Sequence, residues 1–279
     1  MGSCPPEAAP ATRPWALGAL PPFPAVALKI LEELAKEDFE TRQIVRLAES
    51  DPAFAAELLR VANSALYGFS YQIRSVHHAA VTLGMDFVRA LAMTVAMRTY
   101  LKTAMRMPVL RRCWRHSLAC AVLASELAPV CRVPADSAYT AGLLHDIGRI
   151  GLLAAYPAEY ANVLTVTLEN SFDLLHCERE LFDVDHCEAG AWLAREWRLP
   201  EELVEIAAGH HEEPEKERSL MTAVRLGCLL ADALDFSVLP RRGKYSFEEI
   251  VERLPAPEMF DRDAEELRTS VTRRIDALN

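Results

Sequence analysis

The chain is 279 residues long, with 40 acidic and 30 basic side chains and a formal net charge of −10. It is rich in Ala and Leu, poorer in Val and Ile, and has only 11 Gly, which favours helix and excludes a sandwich, a barrel or a large parallel sheet. The acidic balance excludes broad binding to DNA or RNA, which needs clustered Lys and Arg, and no stretch approaches the about 18 uncharged apolar residues of a membrane span.

Residues 1–19 carry Pro5, Pro6, Pro10 and Pro14 and lack a basic start followed by an apolar run, so they do not read as a signal peptide. Pro6 stands where a myristoylation start needs Ser or Thr. The segment reads as a flexible tail. The seven Cys (Cys4, Cys113, Cys120, Cys131, Cys177, Cys187 and Cys228) are scattered, with no two-residue spacing. That pattern fits buried, reduced thiols and places the protein in the cytoplasm.

Residues 20–109 read as an amino-terminal helical subdomain. Leu20-Pro21-Pro22-Phe23-Pro24 is an extended lead-in, because each Pro restrains the residue before it. A helix follows to about Lys36, with Val26, Ile30 and Leu34 on one face, and a second runs through Ile44 and Leu47 to about Glu49. Asp51 looks like an N-cap with Pro52 at the first helical position, and Phe54, Leu58, Val61 and Ala62 make the next apolar face. Asn63-Ser64-Ala65-Leu66-Tyr67-Gly68 breaks it. One helix then ends near Gly84 and a longer one spans about Asp86 to Leu101. His77 and His78 have no acidic partner nearby and read as ordinary surface or core histidines. This half is expected to pack and to bind partners.

Residues 110–279 differ in character. Helices are expected at 113–130, 137–147, 157–169, 186–197, 201–211 and 218–236, with a final pair at 247–254 and 262–277. Leu239-Pro240-Arg241-Arg242-Gly243-Lys244 reads as a solvated basic turn. Six of the eight His lie here, five of them in a suggestive order. His116 sits on a helix, His145-Asp146 closes one in GLLHDIGRIG, and His186 opens one in DVDHCEAGAW, where Asp185 and Glu188 form a capping pair. His210-His211 ends another, with His210 on the face of Leu203, Ile206 and Ala207. Asp232 lies inside the apolar run CLLADALDF. A buried Asp needs a cation or donors, and imidazoles with carboxylates around one point are how a protein holds a transition-metal ion.

These strings, with LPPFPAVALKIL, ESDPAFAAELLRVANSALYG, AVTLGMDFVRALA and LADALD, resemble HDOD-domain proteins over about residues 20–236. The second half resembles the HD superfamily of metal-dependent phosphohydrolases. The resemblance implies an all-α fold in which an amino-terminal helical subdomain packs on an HD-like helical bundle. It implies that His116, His145, Asp146 and Asp232 form a four-ligand core in which Asp146 can bridge, and that His186, His210 and His211 are the added ligands of a binuclear branch. One or two divalent ions of iron, manganese, nickel or zinc follow. Arg112 stands one turn before His116 where trinuclear relatives carry Glu, so no third metal is expected. Arg149 stands where active relatives have Lys and would neutralise a phosphate beside the catalytic Asp146. No DGxGYP segment follows His210-His211-Glu212.

Two functions are compatible with that pattern. The first is an HDOD signalling protein with a retained metal site, a phosphohydrolase acting on a nucleotide or signalling phosphodiester such as a cyclic dinucleotide. The alternative is a catalytically inactive regulatory module that binds metal or nucleotide, with a signalling protein held by the amino-terminal helices. No nucleic acid and no membrane are expected as partners.

Overall fold

The structure, a computed structural model, describes residues 14–19, 25–34, 40–50, 52–63, 71–101, 108–239 and 244–276. All regular elements among them are helical, as the Ala- and Leu-rich composition requires. The expected lead-in at 20–24, the Asp51 cap, the break at 64–68 and positions 240–243 of the basic turn lie outside the described residues. No helix among the described residues is long and apolar enough to cross a membrane.

The amino-terminal helices are α1 (Ala25–Leu34), α2 (Thr41–Glu49), α3 (Pro52–Ala62), α4 (Val76–Leu83) and α5 (Met85–Leu101). Pro52 starts α3 at a position with no intrahelical N–H to lose, and the expected face of Phe54, Leu58, Val61 and Ala62 is buried. The Ser75 hydroxyl caps α4 by accepting from the His78 backbone N–H, and Gly84 ends it at φ +84°, a conformation that side chains resist. His77 is exposed and His78 stacks on Tyr71. Helix α5 is buried at every position from Leu91 to Met97, which marks it as a helix covered on all sides. It meets α1, α3 and α4 and also α7, where Thr94 Oγ1 lies 3.0 Å from Tyr139 Oη.

The carboxy-terminal bundle is built on α6 (Pro108–Cys131), which packs most extensively on α7 (Ala135–Leu144) and α13 (Leu220–Ala233). Around it lie α8 (Ile147–Ala155), α9 (Pro157–Asn170), α10 (Leu174–Phe182), α11 (His186–Glu196), α12 (Glu201–Gly209), α14 (Phe247–Val251) and α15 (Ala264–Asp276). The expected capping box is present: the Asp185 side chain accepts from the Glu188 N–H, and Glu188 accepts from the Asp185 N–H.

Three features differ from the sequence reading. Residues 15–19, expected in the tail, form a 3-10 helix that buries Ala16 and Leu17, sets Trp15 edge-on to Tyr156, and receives a hydrogen bond from Tyr156 Oη at Ala16 O. The helix expected over 137–147 stops at Leu144, and a new one starts at Ile147 after Asp146 takes φ −107°, ψ 23°. Helix α10 was not expected at all.

The turn at His145-Asp146 brings the start of α8 against the start of α11. A Cβ on Gly148 would lie 2.0 Å from His186 O and 2.3 Å from Gly190 N. Only glycine permits that backbone approach, and it carries Asp146 to within reach of His186.

Candidate metal centre

Five imidazoles and one carboxylate meet where α6, α8, α11, α12 and α13 converge. His116 lies on α6, His145 and Asp146 fill the turn before α8, His186 opens α11, and His210 and His211 follow α12. Neighbouring ring centroids are 5.5 Å apart for His116–His145, 4.9 Å for His145–His210, 5.5 Å for His186–His210 and 4.3 Å for His210–His211. His116, His145, Asp146, His186 and His210 are buried, whereas His211 is exposed.

Backbone and carboxylate acceptors fix how each ring is turned. His145 Nδ1 lies 2.7 Å from Gly142 O, His210 Nδ1 3.0 Å from Ala207 O, and His116 Nδ1 3.0 Å from Phe236 O. His186 Nδ1 lies 2.6 Å from Glu178 Oε2, which also accepts from the His186 backbone N–H. With Nδ1 carrying the proton in each case, all four rings present Nε2 inward as a lone pair, the arrangement of metal-binding histidines with an ordered second layer. Glu178 is fully buried on α10 and takes a further hydrogen bond from Tyr160 Oη.

Asp146 is 1 % exposed and Arg149 3 %. Arg149 Nε donates to Asp146 Oδ2 at 2.5 Å, and its Nη2 lies 3.0 Å from His186 Nε2. Burial pushes the Asp146 carboxyl upward, but Arg149 and the rings of His186, His145 and His210 outweigh it and hold the group well below the usual carboxylate range. Burial, followed by the neighbouring His211 and His145, pushes His210 well below the ordinary imidazole value, which keeps it neutral. Asp146 Oδ1 and His210 Nε2 are both buried with no hydrogen-bond partner, 4.0 Å apart. Orphaned buried acceptors of this kind are costly unless a cation satisfies them, so the residues present fit a transition-metal ion.

The donors fall into two groups, each with its ligand atoms within 4.8 Å of one another. One is His186, Cys187, His210 and His211, beside Asp146; the other is His116, Cys120, His145 and Cys228. Burial pushes the Cys187 thiol up, and Asp146 Oδ1 lies 3.6 Å from His186 Nε2 and 4.0 Å from His210 Nε2. Of the residues expected to form one core, His116 and His145 lie in the second group and Asp146 lies beside the first. Asp232 is half-buried on the far side of His116, with Oδ1 3.8 Å from Nδ1 rather than beside the inward Nε2. Arg149, expected to meet a phosphate, is enclosed, with Nε on Asp146, Nη2 against His186 and Nη1 without a hydrogen-bond partner. Sequence reasoning missed Glu178, Cys120 and Cys228. Glu178 shares the i, i+4, i+8 face of Leu174 and Phe182, and Cys120 stands four residues after His116, so both were visible as polar or thiol groups on helix faces that pack inward.

Comparisons with known proteins agree with this architecture. The HDOD domain model matches residues 20–213. An uncharacterized protein of Treponema pallidum (strain Nichols) is 26% identical over 222 residues, which cover 77% of this chain and 43% of that protein. The chain therefore spans less than half the length of that curated relative. A Shewanella amazonensis SB2B structure, named as a candidate phosphohydrolase, superposes with TM-score 0.71 at 22% identity, covering 95% of this chain and 96% of that one. An HDOD domain protein of unknown function from Geobacter sulfurreducens superposes with TM-score 0.68 at 25% identity, covering 92% and 84%. With the greater part of its length matched by that family model and its helices laid out like those of an HDOD structure, the chain belongs to the HDOD domain family.

Proposed function

We propose that the protein is a regulatory HDOD module whose phosphohydrolase-like centre binds a metal ion without turning over a phosphodiester. The observation that supports this most directly is the enclosure of the Arg149 guanidinium, which is 3 % exposed, with Nε on Asp146, Nη2 against His186 and even its unpartnered Nη1 buried away from an incoming phosphate. Asp146, His186, His210 and His211 would hold the ion, of iron, manganese, nickel or zinc. When bound, that ion supplies a Lewis acid and a lowered pKa for coordinated water. Glu178 keeps His186 in the tautomer that offers Nε2, and Gly148 lets Asp146 approach it. The exposed His211 is the edge at which a nucleotide or cyclic dinucleotide would meet the centre. A signalling protein would dock on α1 to α5, and the cytoplasm is the compartment that suits the six unpaired thiols among the described residues.

A second reading is a phosphohydrolase acting on a nucleotide or signalling phosphodiester, as first expected. The unpaired Asp146 Oδ1 and His210 Nε2 favour it, because a centre with open acceptors is what hydrolysis requires. The two are separated by assaying metal-loaded protein against cyclic dinucleotides, cyclic mononucleotides and an activated synthetic phosphodiester. The regulatory reading expects bound metal and no turnover. Turnover that Asp146→Ala abolishes would overturn it in favour of the hydrolase.

A further inference from the structure

We propose that His116, Cys120, His145 and Cys228 form a separate, closed zinc site of two imidazoles and two thiolates that ties α6, the turn before α8, and α13 together. It shares no ligand with the centre assigned above to Asp146, His186, His210 and His211.

The distances suit a tetrahedron. Zn–S bonds of about 2.3 Å and Zn–N bonds of about 2.0–2.1 Å place neighbouring sulfur and nitrogen ligands about 3.6 Å apart. His116 Nε2 lies 3.5 Å from Cys120 Sγ and 3.5 Å from Cys228 Sγ, and His145 Nε2 lies 3.9 Å from Cys228 Sγ. All four donor atoms are within 4.8 Å of one another, so one ion reaches all of them with small shifts. Both imidazoles are already aimed, with Nδ1 of each facing a backbone carbonyl, Phe236 O or Gly142 O.

Charge and enclosure point the same way. Two thiolates offset a divalent cation, and neutral imidazoles complete the shell, so the filled site carries no net charge into the core. Cys120 is fully buried and the other three ligands nearly so, which leaves no open position for water or substrate. Closed sites of this ligand set are structural ones. The backbone is packed to bring the ligands together: a Cβ on Gly142, one turn before His145, would lie 2.7 Å from Cys120 O. Asp232 then sits outside the ligand shell, behind His116.

Cobalt(II) titration of the full chain, stripped of metal and kept reduced, tests the site. One equivalent of cobalt is expected to give thiolate-to-cobalt charge transfer in the near ultraviolet with intense tetrahedral visible bands, and zinc is expected to bleach both. Cys120→Ser and Cys228→Ser should each remove most of the charge transfer, while His210→Ala should leave it intact. Cobalt that binds without charge transfer, bands that survive both cysteine replacements, or no cobalt bound at all would overturn the proposal. If either serine variant fails to fold, X-ray absorption of the zinc-loaded wild-type protein decides. Two sulfur neighbours at about 2.3 Å support the site and none refutes it. A total metal content unchanged in His210→Ala would instead count against the Asp146 centre and not against this site.

Discussion

Asp146→Ala is expected to lower the free energy of unfolding by about 3–5 kcal/mol even in metal-free protein, because it strands the buried Arg149 charge. Both groups are enclosed, and Arg149 Nε holds Asp146 Oδ2 at 2.5 Å. The nearest substitute acceptor is His186 Nε2, already engaged by Nη2, so the guanidinium has little left to satisfy it. Removing the whole pair by Asp146→Ala with Arg149→Met should recover much of the loss, since a buried ion pair breaks roughly even against apolar packing. Urea unfolding of the wild type, the single variant and the double variant measures both effects. A single-variant loss under about 1 kcal/mol would show that Arg149 is solvated and that the ion pair does not organise the centre.

The second large effect is expected from Glu178→Ala. This carboxylate accepts from Tyr160 Oη, the His186 backbone N–H and His186 Nδ1, all of them in the interior. Its removal leaves three buried donors unpaired, each costing about 1–3 kcal/mol, so a total loss of about 3–5 kcal/mol is expected after partial relaxation. It also frees His186 to adopt the other tautomer and turn Nε2 from acceptor to donor. Metal affinity should fall about 10–100-fold, as for second-layer groups elsewhere. Equilibrium dialysis with manganese on the folded fraction separates the two effects. Unchanged affinity would mean that His186 is not a ligand.

Much of this was legible in the sequence because helix periodicity and capping are local. Phe54, Leu58, Val61 and Ala62 declare their buried face by spacing, and the Asp185–Glu188 box announces α11 with its first residue, His186. Helix α8 was not legible: a helix was expected to close at His145-Asp146, but none was expected over 148–156. What fixes the turn and the start of α8 is tertiary, namely the docking of Gly148 on α11 and the anchoring of Asp146 by Arg149. The placement of the candidate ligands on α13 had the same origin. Helical spacing puts Cys228 and Asp232 one turn apart on α13, and only the angle at which α13 crosses α6 decides which of them meets the inward edge of His116. The resemblance to HD proteins points to Asp232, which lies 3.8 Å from His116 Nδ1, while Cys228 Sγ lies 3.5 Å from Nε2. Arg149 was identified by position, whereas its enclosure was not legible, because it depends on α9 to α11, including a helix that sequence did not predict.

The central claim is that Asp146 and the histidines around it form a transition-metal centre, and anomalous diffraction at the manganese edge tests it most directly. Crystals of the full chain grown with manganese are predicted to show a peak bonded to Asp146 Oδ1 and His210 Nε2, two buried acceptors of this centre with no hydrogen-bond partner among the described residues. No peak at that position, with the Arg149 guanidinium still bridging Asp146 and His186, would contradict it.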